Sequence, residues 1–183
     1  SRVMAGIEAA VAVIPEVKLN CVVMKGINDD EAANLVAFAD ALGIDIRFIE
    51  YMPTRGNSTR QDLYVPGDAV RASLPYNLLP MPGSPSAAAR YYGSPDLRIR
   101  VGFINPVSHS FCAHCDRVRL TAEGYLYGCL FSAERINLFE QLDRGSERVR
   151  QVLQQVLDSK QFLGCVVGAN ATGDLPSFVD MGG

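Results

Sequence analysis

Three cysteines that could bind a metal lie within the short stretch 111–131. Cys112 and Cys115 form a C-x2-C pair, which places two thiolates on one tight turn. Cys129 follows after a segment that is typical of a hairpin, so the chain would bring it back beside the first two. Thiolates are soft ligands that select zinc, copper(I) or iron–sulfur clusters. The pattern therefore predicts a metal site in which the three cysteines leave one coordination position unfilled.

The spacing leaves two kinds of metal site open. In a structural zinc site, His109 or His114 would supply the fourth ligand. In a [4Fe–4S] cluster held by three cysteines, the fourth iron is free to bind a substrate. An odd total of 5 cysteines in 183 residues argues against a secreted disulfide scaffold.

Two arginines stand directly beside the cysteine pair. Arg117 and Arg119 are two residues apart, so in a predicted strand both would project from one face. Guanidinium groups beside a metal attract phosphate, and the planar fork of arginine suits bidentate phosphate contacts. The net charge of −3 argues against general nucleic-acid binding, which needs a basic face. A small anionic ligand fits this pattern, and the alternative is a pair of surface arginines on a solvated strand.

The first fifty residues predict the elements of a parallel α/β sheet. Helical and strand patterns alternate in four segments: 3–14, 18–24, 30–42 and 44–50. Pro15 ends the first helix, Asn28 to Asp30 offer capping oxygens for the second, and Gly43 suits its C-terminus. Strands separated by helical crossovers are typical of parallel sheets.

The remainder of the chain is more irregular. Residues 51–95 are rich in Pro, Gly, Ser and Asn, and we found no internal repeat. The patterns predict a helix at 68–74, a strand at 97–103, a hairpin formed by 119–121 and 125–129, an amphipathic helix at 146–157 and an extended tail. We place one domain at 1–60 and a second at 61–183.

The cysteine stretch FCAHCDRVRLTAEGYLYGCLF resembles the second cluster motif of a known family. These are the GTP 3',8-cyclases, radical S-adenosylmethionine enzymes that begin molybdenum-cofactor synthesis. Three further features agree in the same order and together span nearly all of the chain: VKLN with GIND (17–20 and 26–29), RFIEYMP (47–53) and the terminal double glycine.

The resemblance implies a fold and an activity. The fold would be the C-terminal portion of an incomplete radical-SAM (TIM-like) α/β barrel, followed by a small α+β domain carrying an iron–sulfur cluster. The whole enzyme would be a lyase that converts GTP to (8S)-3',8-cyclo-7,8-dihydroguanosine 5'-triphosphate. S-adenosylmethionine and a second [4Fe–4S] cluster belong to that full-length protein.

The resemblance also implies a role for nine residues. The C-terminal [4Fe–4S] cluster would be ligated by Cys112, Cys115 and Cys129. GTP would be bound by Lys18, Arg117 and Arg119, and the S-adenosylmethionine site would be lined by Met52. The tail that reaches into the active site would be formed by Gly182 and Gly183.

The sequence departs from the family in three places. No C-x3-C-x2-C motif for the first cluster occurs, so we expect this chain to be an inactive fragment by itself. Asp116 and Tyr127 stand where asparagine and a basic or polar residue are expected. The alternatives are a structural zinc-binding module, a different radical-SAM enzyme with a second cluster, and a GTP-binding or partner-binding remnant without its barrel half.

The chain contains no segment expected to bind a membrane. No apolar run approaches the roughly 20 residues that span a bilayer, and the N-terminus lacks the layout of a signal peptide. We expect a cytoplasmic protein without membrane or nucleic-acid partners. Half a barrel would leave apolar surface exposed, which favours a homodimer or aggregation.

Overall fold

The computed structural model describes residues 2–52, 61–109, 114–129 and 134–159. The chain forms two compact units. Unit 1 comprises Ser1–Tyr51 and Asp62–His109, and unit 2 comprises Met52–Gln61 and Ser110–Gly183.

Unit 1 is a mixed α/β structure. Its elements in chain order are α1 (Arg2–Val13), β1 (Lys18–Val23), α2 (Ala32–Leu42), β2 (Asp45–Glu50), α3 (Gly67–Ser73), β3 (Leu79–Pro80), β4 (Arg90–Gly93) and β5 (Val101–Ile104). The sheet has the order β1-β2-β5-β4-β3. Strands β1, β2 and β5 are parallel, and β4 and β3 extend the sheet in antiparallel pairing.

The first four predicted elements are confirmed, within two residues at their ends. Gly43 ends α2 in the left-handed region at φ 69°, and its N–H contacts the carbonyls of the last helical turn. The predicted capping oxygens do not cap α2. Asn28 Oδ1 instead accepts the Met24 N–H at 2.7 Å, and Asp29 Oδ1 accepts the Gly26 N–H at 2.7 Å. These two side chains close the turn that follows β1.

The core of unit 1 lies on one face of the sheet. In β2 the buried positions are Ile46, Phe48 and Glu50, which alternate with half-buried ones as expected of a strand covered on one side. The rings of Phe48 and Phe103 lie 5.8 Å apart. Helix α2 contributes apolar side chains to the same cluster: Ala32, Val36 and Ala39. The hydrophobic effect therefore fixes the register of the parallel strands.

Several apolar side chains of unit 1 are exposed. Val3 is 71% exposed and Val13 80% exposed on α1, and Val22 on β1 is 42% exposed. Only part of α1, around Ile7 and Val11, packs against the core.

The strand predicted at 97–103 begins later, at Val101. The backbone N–H groups of Arg98 and Arg100 donate to Asp40 Oδ1 and Asp45 Oδ1, at 2.7 and 2.9 Å, instead of joining the strand ladder. Residues 62–109 contribute α3 and three strands to unit 1. The structural division therefore differs from the domain boundary predicted after residue 60.

Unit 2 contains a three-stranded antiparallel sheet and two helices. Its elements are β6 (Arg119–Leu120), β7 (Tyr125–Tyr127), β8 (Ile136–Asn137), α4 (Phe139–Leu142) and α5 (Ser146–Ser159). The hairpin and α5 confirm the sequence prediction, whereas β8 and α4 were not predicted. Gly124 has φ 86°, and a Cβ there would lie 2.6 Å from the ring of Phe139. Leu126, Val152 and Val156 are the buried core residues between hairpin and helix.

No helix in the described ranges is both long enough and apolar enough to span a bilayer. The expected tail, including Gly182 and Gly183, lies outside the described residues.

Candidate functional site

The hairpin of unit 2 brings two of the predicted cysteines to one end. Strand β6 pairs with β7 so that Arg119 faces Tyr127 and Leu120 faces Leu126. Antiparallel pairing makes the segments before β6 and after β7 leave the hairpin at the same end. Cys115 precedes β6 and Cys129 follows β7, so both emerge there.

The thiols of Cys115 and Cys129 have the chemistry that a metal site requires. Both are free of disulfides and are half-buried. Cys112 lies outside the described residues, as do two of the residues beside it. Within the described ranges no group of three or more His, Cys, Asp or Glu side chains is arranged around a metal position.

The predicted phosphate-binding arginines flank this hairpin. Arg119 lies in β6 and is exposed, whereas Arg117 is half-buried and precedes the strand. Strand β6 is therefore shorter than the strand predicted to carry both arginines. Across the ladder Tyr127 is buried, and its hydroxyl accepts a hydrogen bond from Arg135 Nη1 at 3.2 Å. Arg135 also lies over the ring of Tyr125, 4.2 Å from its centroid. This third arginine was not predicted from the sequence, because the two tyrosines of β7 that it contacts are the signal that points to it.

The other two arginines of the sequence cluster have structural partners. The guanidinium of Arg98 donates to the carbonyls of Asp40 and Ala41 at the C-terminus of α2. Arg100 donates through Nε and Nη2 to Asp45 Oδ2, at 2.9 and 2.5 Å. That carboxylate raises the pKa of Arg100. Both arginines thus hold the loop before β5 in place.

A polar sheet face in unit 1 carries the predicted GTP contact Lys18. This face comprises Lys18, Asn20, Asp45, Arg47, Tyr91 and Gly102. Arg47 Nε donates to Asn20 Oδ1 at 2.8 Å. A Cβ at position 102 would lie 2.9 Å from Arg47 Cγ, so the glycine leaves room for that side chain. Arg47 and Asn20 stand within two of the motifs named above, but their contact was not predicted from the sequence.

The two cations of this face have different partners. Lys18 forms an ion pair with the exposed carboxylate of Glu16, and the Lys18 ammonium lowers the pKa of Glu16. Arg47 instead contacts the side-chain amide of Asn20, which is neutral and does not compensate the charge of the guanidinium. A cation held by a neutral side chain favours an anionic ligand.

The predicted S-adenosylmethionine contact Met52 is half-buried and follows the carboxyl end of β2. Lys18, in contrast, begins β1, and the register places it opposite Asp45 at the amino end of β2. Six strand residues correspond to roughly 17 Å between these ends. Lys18 and the end of β2 that leads to Met52 therefore suit two different ligands.

The histidines do not complete a zinc site in the described residues. His109 belongs to unit 1, and its Nε2 lies 2.6 Å from Asp68 Oδ2. This hydrogen bond lowers the pKa of Asp68. Only Nδ1 of His109 is left for a metal. His114 is exposed in unit 2.

Comparison with known proteins gives consistent matches. The profile of the family described as Molybdenum Cofactor Synthesis C matches residues 44–163. The chain is 39% identical over 164 residues to "GTP 3',8-cyclase" of Nautilia profundicola, covering 87% of this chain and 50% of that protein. It is 40% identical over 171 residues to the enzyme of the same name from Pseudomonas putida, covering 88% of this chain and 51% of that protein.

A mammalian protein is similar over a smaller share of its length. The chain is 39% identical over 150 residues to "Molybdenum cofactor biosynthesis protein 1" of Bos taurus, covering 79% of this chain and 24% of that protein. The chain spans about half the length of the bacterial relatives named above. The profile match contains every element from β2 to α5, including the cysteine hairpin. This chain therefore belongs to the Molybdenum Cofactor Synthesis C family.

Proposed function

We propose that this chain is the C-terminal part of a GTP 3',8-cyclase, the lyase of the first step of molybdenum-cofactor biosynthesis. The observation that carries the proposal is the hairpin register, which returns Cys129 to the end where Cys115 enters. Relatives named GTP 3',8-cyclase align over 87% and 88% of the chain, including this hairpin. By itself the chain is expected to be inactive, because the motif of the first cluster is absent from its sequence.

The donor set of the hairpin fits a [4Fe–4S] cluster. Two reduced, half-buried thiols stand at one end of the hairpin, and Cys112 would be the third ligand. Sulfur ligands select iron–sulfur clusters or zinc over harder metals. When bound through three cysteines, such a cluster offers one iron to the substrate. The protein's own part is to hold the cluster and to exclude competing ligands.

Arginines at the hairpin would bind the triphosphate of GTP. Arg119 is exposed in β6, and Arg117 is half-buried and precedes that strand. Lys18 and Arg47 on the polar sheet face would supply further cations. A triphosphate needs several fixed cations, and charge-assisted hydrogen bonds to it are among the strongest that proteins make.

The rest of the active site would come from the end of β2, the tail and a longer barrel. Met52 would line the S-adenosylmethionine site, and Gly182 and Gly183 would reach back toward the substrate. Sheets of parallel strands are normally covered on both faces, yet the polar sheet face and Val22 are partly exposed. An α/β barrel completed by further strands would enclose this face.

A GTP-binding experiment tests the phosphate site. Anaerobically reconstituted Arg119→Ala should bind GTP about tenfold or more weakly than the wild-type chain, because one charge-assisted contact is lost. Arg150→Ala is the matched control, since Arg150 is exposed in unit 2 with a side-chain exposure of 79% and pairs with Glu147. Calorimetry should give wild-type affinity for the control. Equal affinity of both variants would contradict the phosphate site.

A further inference from the structure

The three-stranded sheet of unit 2 has two different faces. On one face Leu126 of β7 is buried together with Val152 and Val156 of α5. Successive residues of a strand point to opposite faces, so Tyr125 and Tyr127 lie on the face that does not carry Leu126. The second face of the sheet is therefore lined by tyrosine rings at β7.

Two arginines stand on either side of Tyr127 on this second face. Arg119 of β6 is the Cα partner of Tyr127, and directly opposed residues of an antiparallel pair have their side chains on the same face. Leu126 pairs with Ile136 of β8, so Arg135 is the next residue along and stands beside Tyr127. We call this face the tyrosine face, and its members are Arg119, Tyr125, Tyr127 and Arg135.

The guanidinium of Arg135 is held at two points. Its Nη1 donates to the Tyr127 hydroxyl at 3.2 Å, and its central carbon lies 4.2 Å from the centroid of the Tyr125 ring. A cation above a tyrosine ring is attracted by the electron-rich face of that ring. Both contacts are made with neutral groups, so neither contact removes the positive charge. They restrict the orientation of a side chain that belongs to an exposed residue.

The two arginines lie at the end of the sheet that carries the cysteines. Strand β7 ends at Tyr127, and Cys129 follows two residues later. Strands β6 and β8 both run antiparallel to β7. Arg119 begins β6 and Arg135 directly precedes β8, so both are placed where β7 ends. The cysteine end of the sheet therefore carries an arginine on each side of Tyr127.

Charged side chains are unevenly distributed between the two ends of this sheet. The cysteine end carries three arginines and two carboxylates in the described residues: Arg117, Arg119, Arg135, Asp116 and Glu134. The opposite end carries Glu123 in the turn between β6 and β7. Glu140 follows β8 and accepts a hydrogen bond from Asn137. These charges together favour an anion at the cysteine end over the turn end.

The separation of the two arginines suits a ligand with more than one phosphate group. Strands β6 and β8 are separated by β7, which corresponds to about 10 Å between their backbones. The planar fork of an arginine can bind one phosphate through two parallel hydrogen bonds. Arg119 and Arg135 can therefore each bind a different phosphate of the same polyphosphate chain.

We propose that Arg135 is a phosphate-binding residue that acts together with Arg119 on the tyrosine face. Its ligand is a polyphosphate chain, and Tyr125 and Tyr127 hold the guanidinium in place for it. The inference rests on the proposed function for the identity of the nucleoside that carries this chain. The polyphosphate site itself rests on the strand register and on the two tyrosine contacts.

The test measures binding of GTP and of inorganic tripolyphosphate to the anaerobically reconstituted full chain by calorimetry. Arg135→Met removes the charge and keeps an unbranched apolar side chain. This variant should bind both ligands about tenfold more weakly, because one charge-assisted contact is lost. Arg135→Lys retains the charge but not the planar fork, so it should weaken binding by only about threefold.

Arg148→Met is the matched control. Arg148 is also held by a neutral acceptor, since its Nε donates to Gln141 Oε1 at 3.1 Å, but it lies in α5. This helix packs on the Leu126 side of the sheet, so the control should bind both ligands with wild-type affinity. Hydrogen exchange of the Leu126 amide checks that the sheet is intact in each variant. Equal affinity of Arg135→Met and Arg148→Met for tripolyphosphate would overturn the proposal and leave Arg135 a residue that only stabilises the hairpin.

Tyr127→Phe replaces Arg135→Met if that variant does not fold. It removes the hydroxyl that accepts the hydrogen bond from Arg135, and it keeps both the aromatic ring and the positive charge. Tripolyphosphate should bind about threefold more weakly, because the guanidinium is held at one point fewer. Unchanged affinity of Tyr127→Phe would then count against the proposal.

The two ligands separate this inference from the proposed function. If the wild-type chain binds tripolyphosphate as tightly as GTP and Arg135→Met weakens both, the role of Arg135 stands and the cyclase proposal fails. If Arg119→Ala weakens GTP binding and Arg135→Met does not, the proposed GTP site stands and the role of Arg135 fails. If the wild-type chain binds neither ligand, both fail.

Discussion

The two units differ in how their described residues are stabilised. In unit 1 a continuous apolar core extends from α2 across β2 and β5, with Val36, Phe48 and Val101 almost completely buried. In unit 2 the described core consists of Leu126, Val152 and Val156, flanked by Ile136, Leu138 and Leu153. Unit 2 also contains all three cysteines of the predicted metal site.

The contrast indicates that apolar burial stabilises unit 1, whereas unit 2 would depend on metal binding. A large core folds by the hydrophobic effect alone, whereas small cores often need a disulfide or a metal. Cys115 and Cys129 bracket the hairpin whose Leu126 is central to the core of unit 2. We therefore expect the metal to stabilise unit 2 and to leave unit 1 unaffected.

The largest expected effect is that of metal removal. Chelation, or Cys129→Ser, should abolish protection of the Leu126 and Val152 amides, because metal binding supplies folding free energy of about 10 kcal/mol in small metal-dependent domains. The Val36 and Val101 amides of unit 1 should keep their protection. Hydrogen exchange followed by mass spectrometry measures both at once. Loss of protection in the two units together would show that they do not differ in this way.

A substitution in the core of unit 1 should destabilise unit 1 and leave unit 2 unaffected, and its effect on stability should be smaller than that of metal removal. Phe48→Ala removes an almost fully buried ring and should lower the free energy of unfolding of unit 1 by about 3–5 kcal/mol. Denaturant titration would measure this change, and metal content reports on unit 2. A Phe48→Ala chain that also loses its metal would contradict the independence of the two units.

The smallest expected effect concerns the Asp68–His109 pair of unit 1. The pKa of Asp68 is lowered in the folded state, so the pair stabilises at pH values above the ordinary pKa of aspartate, and the stabilisation is lost as the pH falls through the lower folded pKa. Both side chains are about half exposed, so Asp68→Asn should cost less than about 1 kcal/mol at neutral pH. The difference between variant and wild type should vanish in acid. A stability difference between variant and wild type that grows as the pH falls would contradict the stabilising role of the pair.

Local sequence patterns predicted the helices and strands whose own residues show a clear periodicity and a terminating residue. The helices α1, α2 and α5, the strands β1 and β2, and the hairpin all follow from apolar spacing with a terminating Pro15, Gly43 or Gly124. The strands β3, β4 and β8 were not predicted, because two to four residues give no periodicity. Their existence depends on pairing with distant strands.

The candidate site was predictable where it depends on spacing along the chain. The C-x2-C pair and the return of Cys129 through a hairpin needed only sequence distances. The structural roles of Arg98 and Arg100 were not predictable, since their partners Asp40 and Asp45 lie 58 and 55 residues away. The hydrogen bonds of the buried Glu50 carboxylate were not predictable for the same reason, since its donors Gly67 and Ser108 lie 17 and 58 residues away.

The most direct test of the account is the metal content of the anaerobically reconstituted chain. We predict about four irons and four sulfides per chain, with broad absorption near 400 nm that is lost in Cys112→Ala. One tightly held zinc in a colourless protein would contradict the cluster and, with it, the proposed cyclase function of the hairpin.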